Sequence, residues 1–328
     1  MMNRRELVQA AAALAASAAA PATFGQTAAG PAPFKPDLAR LAHRVTDAKA
    51  PAVYFVPEVS AEAVMKVWHA LKRPMTGKVA VKVSFEEPNG PYVDPELLRP
   101  LMKETKGTFI DTNGFSSPRN NTRDHLKLAA SHGFSKVAPV DILDAEGSLD
   151  LPVEKGYHLK VHRVGSHFDR YDAFVSVVKF KLHHLPMLGG TLKNLSITLA
   201  SLSGKCNIHS AGANLQSWEG RDNHTTVEAI SDAVKAALAA RPNRWAFIAV
   251  MNGFKPDDHC RGARDLGRVG VFASTDPVAL DAVCTDITMQ SAANDAMRRE
   301  WSQAHALEIL EVAEKGGVGS ARYRLVEL

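Results

Sequence analysis

The apolar and polar positions alternate between two periods along this chain. Ala52 to Val56 (AVYFV) is a short β-rich run, and Ala61 to Leu71 carries apolar residues at helical spacing. Lys78 to Phe85 (KVAVKVSF) alternates as a strand, and Pro95 to Glu104 reads as a helix. Thr108 to Asp111 is a strand closed by the turn signal Asn113-Gly114, and Thr122 to Ser131 is a helix with Gly133 as its stop. Tyr157 to Val164 and Ala173 to Phe180 read as strands, Thr225 to Ala240 as a long helix ended by Pro242, and Trp245 to Met251 and Val269 to Ala273 as strands. A helix opens at Asp276-Pro277, an acid followed by proline in the first turn, and a last helix covers Ser302 to Glu314. Strands separated by helices need crossover connections, so the expected fold class is α/β: a parallel or mixed sheet with helices on both faces.

The first residues break this alternation. Met1 to Arg5 (MMNRR) is short and basic, Leu7 to Ala20 is apolar and almost wholly alanine, and a small-residue site ends at Ala22. That is the layout of an export signal. Arg4-Arg5 followed by Glu6-Leu7-Val8 resembles the twin-arginine signal, with Asn3 and Leu7 departing from its commonest residues. The expected organisation is a signal peptide over 1–22, a flexible Ala/Gly/Pro linker over 23–36 and a single α/β domain over 37–328. The expected location is periplasmic or secreted. No later segment reaches the roughly 20 apolar residues that a bilayer requires, so a membrane span is not expected.

Charge and cysteine content narrow the partners. The formal net charge is +4 over 328 residues, too small and too evenly spread to suggest nucleic acid. Cys206, Cys260 and Cys284 are the only cysteines and form no C-x-x-C pair, so a four-cysteine iron–sulfur cluster or a zinc ribbon is not supported. Whether two of them form a disulfide stays open. The chain has 13 histidines, 11 of them between His69 and His259, a hint of proton chemistry or metal.

Ligands of open α/β sheets bind at the carboxyl ends of strands. Three segments put polar residues there. Asp111-Thr112-Asn113-Gly114 is followed by Arg119, Asn121 and His125, where a guanidinium fork could fix an anion and where a capped turn is the plainer reading. Lys179 to His184 (KFKLHH), Gly189-Gly190 and Lys193-Asn194 combine positive charge, proton donors and close backbone approach, as an anionic oxygen requires. Gly204 to Ser210 contributes His209. The candidate catalytic residues are Lys181, His183 and His209, with His183 expected to have its pKa pushed down by the neighbouring lysines. The candidate ligand-binding residues are Asp111, Asn113, Arg119, His125, Lys193 and Asn194, and the expected ligand is a small anion. A metal site through His183, His184 and His209 lacks a carboxylate at familiar spacing. Asp276 and Asp281 point about 140° apart on one helix and read as structural.

These segments, in this order, resemble the domain-of-unknown-function family 362. The resemblance runs from about Lys78 to Ile287. It is carried by PELLRPLMKETKGTFIDTNGF (95–115), RNNTRDHL (119–126), HGF (132–134), the F-K-x-H element (180–183), GGTLKN (189–194), GK with HS (204–210) and STDPVALDAV (274–283). Many members carry a ferredoxin-like insert shortly after the His-Ser pair. Here Ala211 to His224 (AGANLQSWEGRDNH) fills that place without a cysteine. Lys179 and Leu182 also depart from the family's commoner residues. A shorter stretch, His183 or His184 followed by Gly189-Gly190 and Lys193, is similar to one in the lactate racemase family, whose histidines serve a nickel-pincer cofactor. Three readings follow: an acid–base enzyme acting on a small anion, a non-catalytic periplasmic binding or accessory protein, and a cofactor-dependent isomerase. The protein partner and the cofactor are left open.

Overall fold

A computed structural model describes residues 35–182, 188–254, 267–292 and 307–328. Its centre is an eight-stranded sheet. The strands are β1 (Ala52–Val56), β2 (Val79–Lys82), β3 (Thr108–Asp111), β4 (Val140–Ile142), β7 (Ala173–Lys179), β10 (Trp245–Phe254), β11 (Gly267–Ser274) and β12 (Arg324–Glu327), in the order β12-β1-β11-β10-β7-β2-β3-β4. All neighbours pair parallel except β11, which runs antiparallel to both β1 and β10. The sheet is therefore mixed and mostly parallel. Two small hairpins lie apart from it: β5 (Ser148–Pro152) with β6 (Val161–Gly165), and β8 (Lys181–Leu182) with β9 (Leu188–Gly189).

Both faces of the sheet are covered, as crossover connections demand. On β7, Ala173, Val175 and Val177 enter one core, and Phe174 and Val178 enter the other. On β10, Ala246, Ile248 and Val250 face the first core, and Trp245, Phe247, Ala249 and Met251 face the second. This is the period-2 alternation of a strand buried on both sides. The first core takes the apolar stripes of α1 (Ala61–Ala70) and α2 (Arg99–Thr105), with Ala129 of α3 (Thr122–Ser131) and Phe134, which opens α4 (Phe134–Val137). The second takes α5 (Thr191–Leu195), α6 (Leu202–His209), α7 (Asn223–Ala240), α8 (Pro277–Gln290) and α9 (Glu308–Lys315).

Several elements depart from the sequence expectation for local reasons. Pro95–Leu98 winds as a 3₁₀ turn capped by Asp94, and the α-helix begins only at Arg99. The stretch from Tyr157 does not start a strand, because the N–H groups of Tyr157, His158 and Leu159 all donate to the buried carboxylate of Asp232, at 2.7 to 2.8 Å. The strand begins at Val161 and pairs outside the main sheet. α5 and α6 were not expected at all. α6 is capped by Ser201, whose side chain accepts from Gly204 N–H. Of the last expected helix, Glu308–Lys315 is observed, and residues 302–306 fall outside the described residues.

Candidate functional site

β7, β2 and β3 lie side by side and run parallel, so Lys179, Lys82 and Asp111 end at one edge of the sheet. The innermost group there is Lys82, fully buried. Its ammonium donates to Val83 C=O (2.7 Å), Asp111 Oδ1 (3.0 Å), Asn194 Oδ1 (3.0 Å) and Thr198 Oγ1 (3.1 Å). The second oxygen of Asp111 accepts from Phe85 N–H at 3.0 Å and from Arg119 at 3.4 Å, with His125 Nε2 3.5 Å away. Burial opposes ionisation of Asp111, but Lys82, Arg119 and His125 outweigh it and hold its carboxyl well below the usual range. Asn194 ties the layers together, since its Nδ2 donates to Ser176 Oγ at 2.8 Å.

Outside this cluster lies a cavity of about 450 Å³. Its charged lining consists of Arg119, Lys179, Lys181 and Lys193 against Glu86 and Glu87, four cations facing two carboxylates. Lys181 pairs with Glu86 at 3.0 Å. Burial works against ionisation of Glu86, yet Lys181 and Arg119 keep its carboxyl below the ordinary value. Lys193 makes no such pair or hydrogen bond among the described residues. Its pKa is lowered to about 8, chiefly by burial and then by the positive charge of Lys181. Deeper in, Lys205 donates to Thr112 Oγ1 at 2.7 Å and to Ala200 C=O, and burial lowers its pKa to about 7.

The placement of Lys193 depends on a residue far away in sequence. Asp281 on α8 is fully buried, and its two oxygens accept the N–H groups of Thr191 (2.7 Å) and Leu192 (2.9 Å), the first residues of α5. Burial raises its carboxyl to about 6 against those two bonds. Both glycines before α5 are needed for close approach. A Cβ on Gly190 would lie 2.5 Å from Asp281 Oδ1, and one on Gly189 would lie 2.5 Å from the Lys181 side chain. Asp276 caps α8 and also accepts from Ser320 N–H. Both aspartates are thus structural, as expected from their directions on the helix.

The structure brings Lys181, Lys193, Asn194 and Arg119 to the cavity wall. Asp111 and His125 are fully buried behind that wall, because Asp111 spends both oxygens on Lys82, Phe85 and Arg119. Asn113 is also buried, and its amide donates to Thr122 Oγ1 at 3.1 Å. His209 does not line the cavity. It stacks under Trp218 with ring centroids 3.5 Å apart, and its pKa falls to about 3 through burial and the charges of Lys193 and Lys205. His183 and His184 lie outside the described residues, as does Cys260. Cys206 and Cys284 are free and buried, and burial pushes both thiols up. With three cysteines in the chain and two of them so placed, the residues do not fit a four-thiolate cluster. Among the described residues no cluster of His, Cys, Asp and Glu could hold a metal ion, and no helix is long and apolar enough to cross a membrane.

Lys82 and Glu86 were missed in the sequence, and Lys205 stood in the candidate segment Gly204 to Ser210 without a role of its own. Lys82 carries a signal in retrospect, as a lysine inside an otherwise apolar strand must be paired or functional. Glu86 stands after the strand with φ of 57° and had none.

A mostly parallel α/β sheet with a cation-lined cavity at its carboxyl edge defines the class of this protein. The chain belongs to the family described as a domain of unknown function (DUF362), whose model matches residues 79–286. Among solved structures it is similar to the lactate racemase apoprotein from Thermoanaerobacterium thermosaccharolyticum, at 15% identity over 71% of this chain and 57% of that one, with a TM-score of 0.42. It is also similar to a Thermotoga maritima protein, at 10% identity over 78% of this chain and 58% of that one, with a TM-score of 0.41. This chain thus spans under two thirds of the length of either. No curated protein matches it.

Proposed function

We propose that this is an exported protein that holds a small anion, such as a carboxylate or a phosphate, in the cavity at the ends of β7, β2 and β3. The observation that carries the reading is Lys193, an ammonium on the cavity wall without a protein partner among the described residues, beside Lys181 and Arg119. An unpaired cation in a partly desolvated wall is costly unless an anion joins it. Lys181 is met by Glu86 and Arg119 by Glu87 and Asp111, which leaves Lys193 as the cation that an anion would join. The volume falls in the range of small-molecule sites. Acid–base chemistry is a second reading, favoured by the pKa of Lys193 near 8, where a lysine can both give and take a proton.

Calorimetric titration of the purified chain with acetate, phosphate and sulfate tests the first reading. Saturable binding that weakens about tenfold or more in Lys193→Gln is the expected result. Binding of equal strength in the variant, or no saturable heat with any of the three, would refute it. The export proposal has its own test. The mature protein should begin at Thr23, and replacing Arg4-Arg5 by two lysines should leave the full-length chain in the cytoplasm.

A further inference from the structure

The wall of this cavity carries an anion of its own. Glu86 and Lys181 both line it, and Glu86 Oε2 lies 3.0 Å from the Lys181 ammonium. Neither end stands on the open surface, since the two side chains are 18% and 16% exposed. An exposed pair of long side chains is held loosely and contributes little. This pair differs, because the backbone is shaped around both of its ends.

Glu86 has a φ of 57°, in the left-handed region that a Cβ disfavours. Among the described non-glycine residues with positive φ, it alone lines the cavity. Its backbone N–H donates to Ser84 Oγ at 3.3 Å. Gly90 leaves room for its side chain. A Cβ there would lie 3.0 Å from Glu86 Cβ and 3.3 Å from Oε2, the oxygen that meets Lys181. At the other end, Lys181 of β8 pairs across the hairpin with Gly189 of β9, and a Cβ on Gly189 would lie 2.5 Å from Lys181 Cγ. Local strain of this kind persists only where the surroundings impose it, and here it presents a carboxylate to the cavity.

The consequence is electrostatic. Lys181 is held by Glu86, and Arg119 lies 3.7 Å from Glu87 and 3.4 Å from Asp111, so the first negative charge of a ligand goes to Lys193. A second negative charge on the same ligand meets the carboxylates of Glu86 and Glu87. Alternatively it must draw Lys181 away and leave Glu86 unpaired in a partly desolvated wall. Both outcomes disfavour the doubly charged ligand, which is discrimination by a built-in repulsive element. We propose that Glu86 is the specificity-determining residue of this cavity, selecting anions with a single negative charge, the monocarboxylates, against dicarboxylates and other dianions. This rests on the anion-binding reading above and narrows it.

Malonate and its monoamide, malonamate, have nearly the same shape and differ by one charge, so their affinity ratio isolates this effect. In calorimetric titration of the purified chain at neutral pH and constant ionic strength, malonamate should bind about tenfold more tightly than malonate. Glu86→Gln frees Lys181 for the second carboxylate, so that preference should fall by about tenfold or invert. Lys181→Gln leaves Glu86 without its counter-charge, so the preference should instead grow by about threefold or more. A merely structural ion pair would not give opposite shifts from its two halves. Equal binding of the two anions by the wild type, or a preference that Glu86→Gln leaves unchanged, overturns the single-charge selection while the anion site stands. If neither anion binds, the proposal falls, and the acetate titration shows whether the anion site falls with it. Near-ultraviolet circular dichroism reports whether Glu86→Gln is folded. Should it not be, a preference that fails to grow in Lys181→Gln is enough to reject the proposal.

Discussion

Lys82 and Lys193 are separated by little more than Asn194, yet they occupy opposite regimes. Lys82 lies under the cavity with four acceptors around its ammonium, one of them the carboxylate of Asp111. Lys193 stands one residue before Asn194 on α5, on the cavity wall, with no hydrogen-bond or ion-pair partner among the described residues. Burial lowers both pKa values, but in Lys82 the charge of Asp111 works against that fall, whereas in Lys193 the next largest effect is the repulsion of Lys181. The same residue type in the same neighbourhood is thus a structural tie in one place and an open binding group in the other. What separates them is partner saturation rather than depth alone, because a buried charge is tolerated only where its hydrogen bonds are complete.

The most severe way to break the contrast is to remove the anion from the inner region. Asp111→Asn leaves Lys82 with a neutral acceptor and Arg119 with no carboxylate at 3.4 Å. Unpairing a buried ion pair costs about 3–5 kcal/mol, so denaturant unfolding should show a loss of that size. A loss below about 1 kcal/mol would mean that the inner cluster is not the structural half of the pair.

A smaller effect is expected from the support of the outer region. Asp281→Asn replaces one of two oxygens that accept the N–H groups of Thr191 and Leu192 with an amide that faces a donor. The cost should be about 1–3 kcal/mol, the range for a buried group left unsatisfied. Because α5 carries Lys193, anion affinity should fall together with stability. If stability falls while affinity is unchanged, α5 holds its place without Asp281, and the tie between α8 and the cavity is only structural.

How much of this was legible in the residues follows the range of the interactions. The mixed α/β sheet was readable because strand and helix periods are local, and Ala173 to Phe180 and Thr225 to Ala240 needed only their neighbours in sequence. The segment from Tyr157 was misread because its backbone donors go to Asp232, some 75 residues away, an interaction that no local pattern encodes. Lys181, Lys193 and Arg119 were legible as charge, and Asn194 as a polar side chain, following strand ends, and all four line the cavity. Lys82 was hidden in an alternating strand that fits a half-buried pattern equally well. Asp111 and His125 were placed at the right strand end, but which of them faces the cavity depends on who takes the oxygens of Asp111. That assignment is three-dimensional.

Lys193 itself should give no loss of stability at all, and it is the sharpest test of the comparison. Lys193→Gln removes a desolvated charge without a protein partner among the described residues, so at pH 7 unfolding free energy should rise rather than fall. The sign of the pH dependence follows from the pKa near 8, below the ordinary lysine value of 10.5. Below pH 8 both folded and unfolded chains carry the proton, and the folded state bears the full cost of the buried ammonium. Between pH 8 and 10.5 the unfolded chain binds more protons, so stability rises with pH there and the cost is gone above 10.5. Lys193→Gln should flatten that rise, while Lys82→Met should lose stability at pH 7 because it orphans Asp111. Anion affinity runs the other way, since only the protonated amine attracts the ligand: it should decline as pH passes 8, and a saturating anion should move the Lys193 titration upward. If the rise in stability between pH 8 and 10.5 survives Lys193→Gln unchanged, it arises from another group, and the buried Lys205, with its pKa near 7, is the next to examine.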